Sequence, residues 1–417
     1  MSGPWRRSTA PSVSPPEKSS SPPRISRCTS SYHGRWEGNI SISTNEKRRP
    51  LVAIIGSRGY PSYYGGFETA VRTLAPYLVE QGWDVIVYGR AGTSPDIGRA
   101  GDSRVRSITT RGIESKALST LSYGFTSSLD AVFRRKPDVA LVMNVANGFF
   151  LPLFKARGIP TLVNVDGIEW DRDKWGRLAK AVFRLGARLT AKYGTRLVYD
   201  AQAIARIWKK EFGRGGVFIP YGGDDPGDLP VPAGFSHRGY ALIVARFVPE
   251  NSILEFLEAA PQIAAEYPVV IVGSAGYGGV LDERVRRLAE SHENIYWLGH
   301  VSDDRLLFAL LKHAGAYFHG HSVGGTNPAL VQALACGAPV VARDTVYNRE
   351  VLGAKGIYVQ PTPVAIAEGL IAILSDPDLQ DHAEATSLDR SRLEYNWATV
   401  CGRYEDALSE LAHARSL

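Results

Sequence analysis

Apolar residues recur along this chain in two alternating rhythms. Leu51–Ile55 is a continuous apolar run closed by Gly56, and Gly66–Gln81 carries Phe67, Val71, Leu74 and Leu78 on one helical face. The pattern predicts a strand, a glycine loop and a helix. Further apolar strands are expected at Asp84–Tyr88, Asp138–Met143, Thr161–Val165, Leu197–Tyr199 and Val217–Ile219, with helical segments between them. Such alternation implies a parallel sheet covered on both faces. Gly222–Gly239 then packs five Gly and three Pro into eighteen residues and reads as a linker. Beyond it the alternation restarts, with strands at Tyr240–Ala245, Val269–Val272, Ile295–Leu298, Ala316–His319 and Pro339–Ala342. Finally Trp397, Val400, Tyr404, Leu408 and Leu411 fall at helical spacing, so a last helix must bury one face against something large. The expected organisation is a tail over 1–49, one doubly wound α/β domain over 50–221, a linker over 222–239, a second such domain over 240–395 and a helix over 396–417. Two such domains face each other across a cleft at the carboxyl ends of their strands, where ligands bind in this architecture.

Composition agrees and removes other classes. A chain of 417 residues exceeds what one core usually serves, and 44% hydrophobic with 22% charged residues is an ordinary globular balance. The longest apolar stretch, Val139–Phe154, is broken by Asn144, Asn147, Gly148 and Pro152, so no membrane span is expected. The first residues lack the apolar stretch of a secretory leader, and three cysteines without paired spacing suit a reducing cytoplasm. The net charge of +6 suggests nucleic acid until it is located. Residues 1–50 hold nine Lys/Arg and three Asp/Glu of totals of 48 and 42, so the rest of the chain is formally neutral. The same fifty residues contain twelve Ser and seven Pro, a composition that cannot offset its own ordering entropy. This tail reads as disordered, either dispensable or a basic tether for peripheral contact with an anionic membrane.

Ligand chemistry is expected in the loops after the strands. Gly56–Glu68 is one: Gly65 and Gly66 precede a helix whose free N–H groups attract phosphate. A dinucleotide reading fails, because the spacing is not GxGxxG and the second strand ends in Tyr88, Gly89 and Arg90 without a carboxylate for a ribose diol. Val272–Gly279 is a second, weaker glycine loop. The third, within His319–Ala342, says more: Gly324 and Gly325 free the backbone, Asn327 suits an N-cap and Pro328 the first helical position. The helix over Ala329–Ala335 thus turns its positive end to the cleft, where a diphosphate is the natural occupant. Gln332 lies a turn further in, able to bond vicinal hydroxyls. Arg246, at a strand end, offers a planar fork to the phosphates.

These residues resemble a known family. VAIIGSRGYPSYYGGFETAVRTLAPYL, VNVDGIEWDRDKWGRLAKAVFRL, ARFVPENS and HGHSVGGTNPALVQALACGAPVVARDTVYNREVLG, in that order between about Leu51 and Leu352, are similar to the bacterial rhamnosyltransferase-type branch of glycosyltransferase family 4. The resemblance implies a GT-B fold of twin Rossmann-like domains, and sugar transfer from a nucleotide donor with retention and without a metal or other cofactor. The donor would lie on the C-terminal domain, and a glycan or lipid-linked acceptor on the N-terminal one. Carried over, Arg246 would contact the diphosphate, Gly324, Gly325, Thr326 and Asn327 the phosphate and sugar, and Gln332 the ribose, while Gly65 and Gly66 close over the donor. Two departures stand out: Gly324 and Gln332 occupy the places of a Glu pair in the wider family, and Glu250 and Asn251 stand where relatives carry a basic residue.

Departure of a nucleoside diphosphate concentrates negative charge on phosphate, which Arg246 and a helix N-terminus would stabilise. Asp166, just past the Thr161–Val165 strand, is the carboxylate placed to orient an acceptor hydroxyl; the alternative is a turn Asp before Gly167. His319 and His321 flank the donor loop and suit neutral hydrogen bonding better than a metal. Asp171 with Asp173, and Asp303 with Asp304, make no convincing cation site. Besides an enzyme, two readings remain: a non-catalytic nucleotide-sugar sensor, motivated by Gln332, and a nucleotide-sugar epimerase of similar build.

Overall fold

A computed structural model describes residues 48–62, 65–90, 101–114, 118–172, 175–276 and 279–416. The expected tail falls, up to residue 47, outside the described residues. The first sheet is built from β1 (Leu51–Ile55), β2 (Asp84–Arg90), β3 (Arg106–Thr110), β4 (Val139–Met143), β5 (Thr161–Asn164), β6 (Arg196–Tyr199) and β7 (Val217–Phe218). All neighbours are parallel, in the order β3-β2-β1-β4-β5-β6-β7. The second sheet contains β8 (Ala241–Val244), β9 (Val269–Val272), β10 (Ile295–Gly299), β11 (Ala316–His319), β12 (Val340–Arg343) and β13 (Ile357–Val359). It too is wholly parallel, in the order β10-β9-β8-β11-β12-β13. These are the two doubly wound halves of a GT-B fold.

Helices cover both faces of each sheet, which is why β4 and β9 are apolar at every position and wholly buried. The strand order reverses between β1 and β4 and again between β8 and β11. Two switch points result, each a place where diverging loops leave a crevice at the carboxyl ends of the strands. Gly56 and Asn144 stand at the first, Arg246 and the loop after His319 at the second.

The expected strands are present, and two edge strands were not foreseen. β3 reads RSITT and β13 only IYV. An edge strand needs an apolar stripe on only one face, so neither stands out as a run.

The chain crosses between the halves twice. It leaves after β7 and returns near Asn396, where Gly223 pairs with Asn396 and donates its N–H to the Tyr395 carbonyl at 2.8 Å. The last helix, Trp397–Ser416, then lies not on the second half but on the first. Asn164 at the end of β5 donates to the Tyr404 hydroxyl at 2.8 Å, and Trp83 before β2 donates to Glu405 at 3.3 Å. Its apolar stripe of Val400, Cys401, Tyr404, Leu408 and Leu411 joins a buried cluster that also contains Val71, Leu78, Leu141 and Leu330. One core therefore runs through both halves, and Arg49–Leu417 form a single compact unit.

Candidate functional site

The two switch points open into one cavity of about 790 Å³. Its second-half wall is Arg246, His321, Gly324, Gly325, Thr326, Asn327 and Pro328; opposite stand Gly66, Asn144, Asp166, Glu169, Arg172 and Asp200. An apolar end is formed by Leu118, Leu121, Trp175, Leu178, Val182 and Phe183.

The helix start is built as its residues require. Pro328–Ala335 is helical, Asn327 is its N-cap, and the Asn327 side-chain oxygen accepts the Ala329 N–H at 2.9 Å. The cap thus satisfies the Ala329 N–H, Pro328 has none, and the Leu330 and Val331 N–H groups go to the Asn327 carbonyl at 3.0 and 3.1 Å, so what the helix presents to the cavity is the positive end of its dipole. Arg246 follows β8 with its side chain exposed at the cavity wall. Its carbonyl accepts from Asn251 Nδ2 at 2.8 Å, which commits the Asn251 oxygen to His321 Nδ1 at 2.7 Å. An amide oxygen only accepts, so Nδ1 carries the proton and Nε2 remains an acceptor.

Both histidines are neutral. Burial, aided by Arg172, lowers the His321 imidazole from its ordinary 6.5 to about 4, and burial with His321 beside it lowers His319 to about 3. Nε2 of His319 has no partner, and Nδ1 meets the Tyr317 hydroxyl at 3.2 Å. Their folded values lie below the unfolded value, so the unfolded chain binds protons first as pH falls. Stability from these rings is complete above about pH 6.5 and lost downward toward pH 4. Thermal melts from pH 7.5 to 4 should therefore show a declining midpoint below pH 6.5, with a shallower slope in His319→Gln; an unchanged slope would contradict the assignment.

On the first half, Asp166 and Asn144 both adopt left-handed backbone, with φ of 60° and 69°. Conformations of this kind cost roughly 1–3 kcal/mol each in non-glycine residues and cluster at functional sites. The strain turns the Asp166 carboxylate toward the cavity, where it accepts from Asn144 Nδ2 at 3.2 Å, while its N–H donates to Asn164 Oδ1 at 2.9 Å. Gly66 packs against Pro328, a Cβ there standing 3.0 Å from the ring, so the two glycine loops meet across the cleft. Gly65 is only the N-cap position of the Gly66–Glu80 helix and does not line the cavity. In the first turn of that helix the buried Glu68 accepts the Arg58 N–H at 3.2 Å.

Gln332 is a correction. It does not line the cavity: its side-chain oxygen accepts the Asp224 N–H at 2.9 Å and its Nε2 donates to the Asp224 carbonyl at 2.8 Å. A residue eight past Gly324 projects to the linker side of the helix, and a backbone peptide takes both ends of an amide. Gln332 ties the second half to the linker rather than standing at the cavity wall.

Arg172 and Asp200, not singled out from the sequence, also line the cavity. Arg172 reaches the donor loop, its Nη2 standing 3.1 Å from where a Cβ of Gly324 would be. Its Nε lies 2.8 Å from Glu169, whose other oxygen accepts from Trp175 Nε1 at 2.7 Å. Asp200, just past β6, lies against Gly325: any Cβ on that glycine would overlap the carboxyl. The Asp200 carbonyl accepts the Thr326 hydroxyl. Asp200 follows its strand as Asp166 follows β5, so the same rule could have found it. Arg172 sat inside a stretch read only for its acids, of which Asp173 lies outside the described residues. Among the described residues no three His, Cys, Asp or Glu side chains gather to hold a metal.

The family "Glycosyl transferase 4-like domain" matches residues 65–222 and "Glycosyl transferases group 1" matches 233–389. The O-antigen chain mannosyltransferase B of Escherichia coli is 27% identical over 168 residues, 38% of this chain and 43% of that one. The phosphatidyl-myo-inositol mannosyltransferase of Mycobacterium leprae is 31% identical over 211 residues, 48% of this chain and 55% of that one. The chain thus spans about half the length of these relatives. Among solved structures, sucrose-phosphate synthase from Thermosynechococcus elongatus superposes with a TM-score of 0.72 at 17% identity, over 88% of this chain and 100% of that one. Anabaena HepE in complex with UDP gives 0.66 at 15% identity, over 87% and 100%.

Proposed function

We propose that this chain, whose two halves match the glycosyl transferase 4-like and glycosyl transferases group 1 families, transfers a hexose from a nucleoside diphosphate donor to a glycan or lipid-linked acceptor. The observation that carries the reading is the capped N-terminus of Pro328–Ala335, which opens with Gly324, Gly325 and Arg246 onto a cavity whose far wall bears Asp166. Retention is part of the proposal. The bond from the anomeric carbon to the diphosphate breaks, its electrons passing to a phosphate oxygen that faces Arg246 and the positive end of the Pro328–Ala335 helix dipole. The acceptor oxygen attacks from the face just vacated, oriented by Asp166, and its proton leaves with the phosphate. Arg172 supplies a second cation beside Gly324.

The apolar end of the cavity supports an acceptor with an aliphatic part. A neighbouring depression continues it with Ile113, Phe125, Phe149 and Phe150. Beside it the Arg177–Tyr193 helix carries Arg177, Lys180, Arg184, Arg188 and Lys192 without an acid, which supports peripheral contact with an anionic membrane. No helix among the described residues is long and apolar enough to cross a membrane. The donor sugar is rhamnose or another hexose, and the names of the two relatives make mannose the first alternative. The sensor reading rested on Gln332 and loses its basis with that residue bound to the linker.

The test is turnover with UDP-, GDP- and dTDP-linked glucose, mannose and rhamnose, with lipid-linked and free glycan acceptors, followed by product analysis. A new glycosidic bond of unchanged anomeric configuration, formed equally in EDTA, is expected. An inverted product, or activity abolished by EDTA and restored by manganese, would refute retention or metal independence respectively; donor epimerisation without transfer would refute the whole reading.

A further inference from the structure

Asp200 is 2% exposed, lines the cavity and has no hydrogen-bond partner for Oδ1. Its carboxyl comes from the first half yet rests on Gly325 of the second, at the loop that leads into the Pro328–Ala335 helix. A buried carboxylate without a cation is costly, and beside a bound phosphate it would also repel. The neutral acid has neither defect, and it alone has a hydrogen to give.

We infer that Asp200, as the neutral acid, donates a hydrogen bond to a non-bridging phosphate oxygen of a nucleoside diphosphate held at Gly324–Asn327. The inference rests on the nucleotide reading of the cavity and names a ligand contact within it. No covalent bond changes at Asp200, whose proton stays on its own oxygen throughout.

The surroundings favour that protonation state. Burial, and then Asp166, push the carboxyl up to about 8, with Glu350 adding and Arg172 and its own backbone N–H opposing. Tyr221, Tyr347 and Tyr404 also face it, all with hydroxyls raised above their ordinary value and therefore uncharged. Asp200 thus enters the complex already protonated below about pH 8, whereas above it binding must take up a proton and weakens.

Calorimetric titration of the full chain with UDP, GDP and dTDP at pH 7 and pH 9.5, each in two buffers of different ionisation enthalpy, tests this. For the nucleotide that binds, affinity should fall about thirtyfold at the higher pH with uptake of close to one proton, and almost none at pH 7. Asp200→Asn, which keeps an N–H donor, should lose the pH slope and the proton uptake, whereas Asp200→Ala should bind about tenfold more weakly at pH 7. Wild-type affinity that ignores pH and takes up no proton overturns the inference. So does an Asn variant that keeps the slope, or one that melts normally yet binds nothing, since an anion would then be required. Should the Asn variant fail to fold, proton uptake by the wild type decides alone. If none of the three nucleotides binds the wild type even at pH 7, the nucleotide reading of the cavity fails, and this inference fails with it.

Discussion

Replacing Arg246 by Ala should lower kcat about a hundredfold, a loss of ~3 kcal/mol in transition-state stabilisation. The guanidinium stands at the cavity wall, and among the described residues no carboxylate pairs with it, so its charge is available to the phosphate. That phosphate gains charge as the sugar departs, and an interaction that strengthens along the reaction appears in kcat as well as in KM. Arg172→Ala should cost less, because Glu169 already takes part of its charge at 2.8 Å. Steady-state kinetics on purified variants measure both. An Arg246→Ala enzyme with a raised KM and an unchanged kcat would show an Arg that only holds the donor.

The second large effect concerns stability. Gln332→Glu replaces an amide that serves both the N–H and the carbonyl of Asp224, at 2.9 and 2.8 Å. A carboxylate can accept from the N–H but faces the carbonyl with a second lone pair, so one bond is lost and a repulsion added. We expect a destabilisation of about 2 kcal/mol, with little change in donor KM. Chemical denaturation gives the first quantity and kinetics the second. A variant that binds donor more tightly at unchanged stability would return this position to the ribose.

The contrast between those two residues shows what could be read from the chain. The place of Arg246 at the cavity wall was legible because loops after strands at a switch point line the crevice in this topology, and the strand itself was an unbroken apolar run. Gln332 was misplaced because helical spacing fixes the angle of a side chain around its own axis but not which neighbour fills the space there. That neighbour was the linker, whose path depends on both crossings between the halves. Asn327 and Pro328 were legible for a local reason: capping and first-turn preferences act within four residues. Arg172 and Asp200 act on Gly324 and Gly325 from the opposite half, more than a hundred residues away in the chain. No local pattern marks such a meeting, although the carboxyl after β6 stood where the rule for strand ends would have looked. The edge strands β3 and β13 escaped because half-exposed strands carry half the apolar signal.

The helix Trp397–Ser416, lying against the first half, sets an order on synthesis. At roughly 5–20 residues per second a ribosome needs on the order of ten to forty seconds to go from the end of β7 to the start of this helix. Throughout that time the surface around Trp83, Asn164 and Leu78 has no cover. A nascent first half can form its parallel strands but must wait for its last layer, exposed to chaperones and to neighbouring chains on the same message. Premature termination anywhere between the two crossings would leave that surface permanently open, and such fragments should be found in aggregates or in the proteolytic pool rather than as free-standing folded halves.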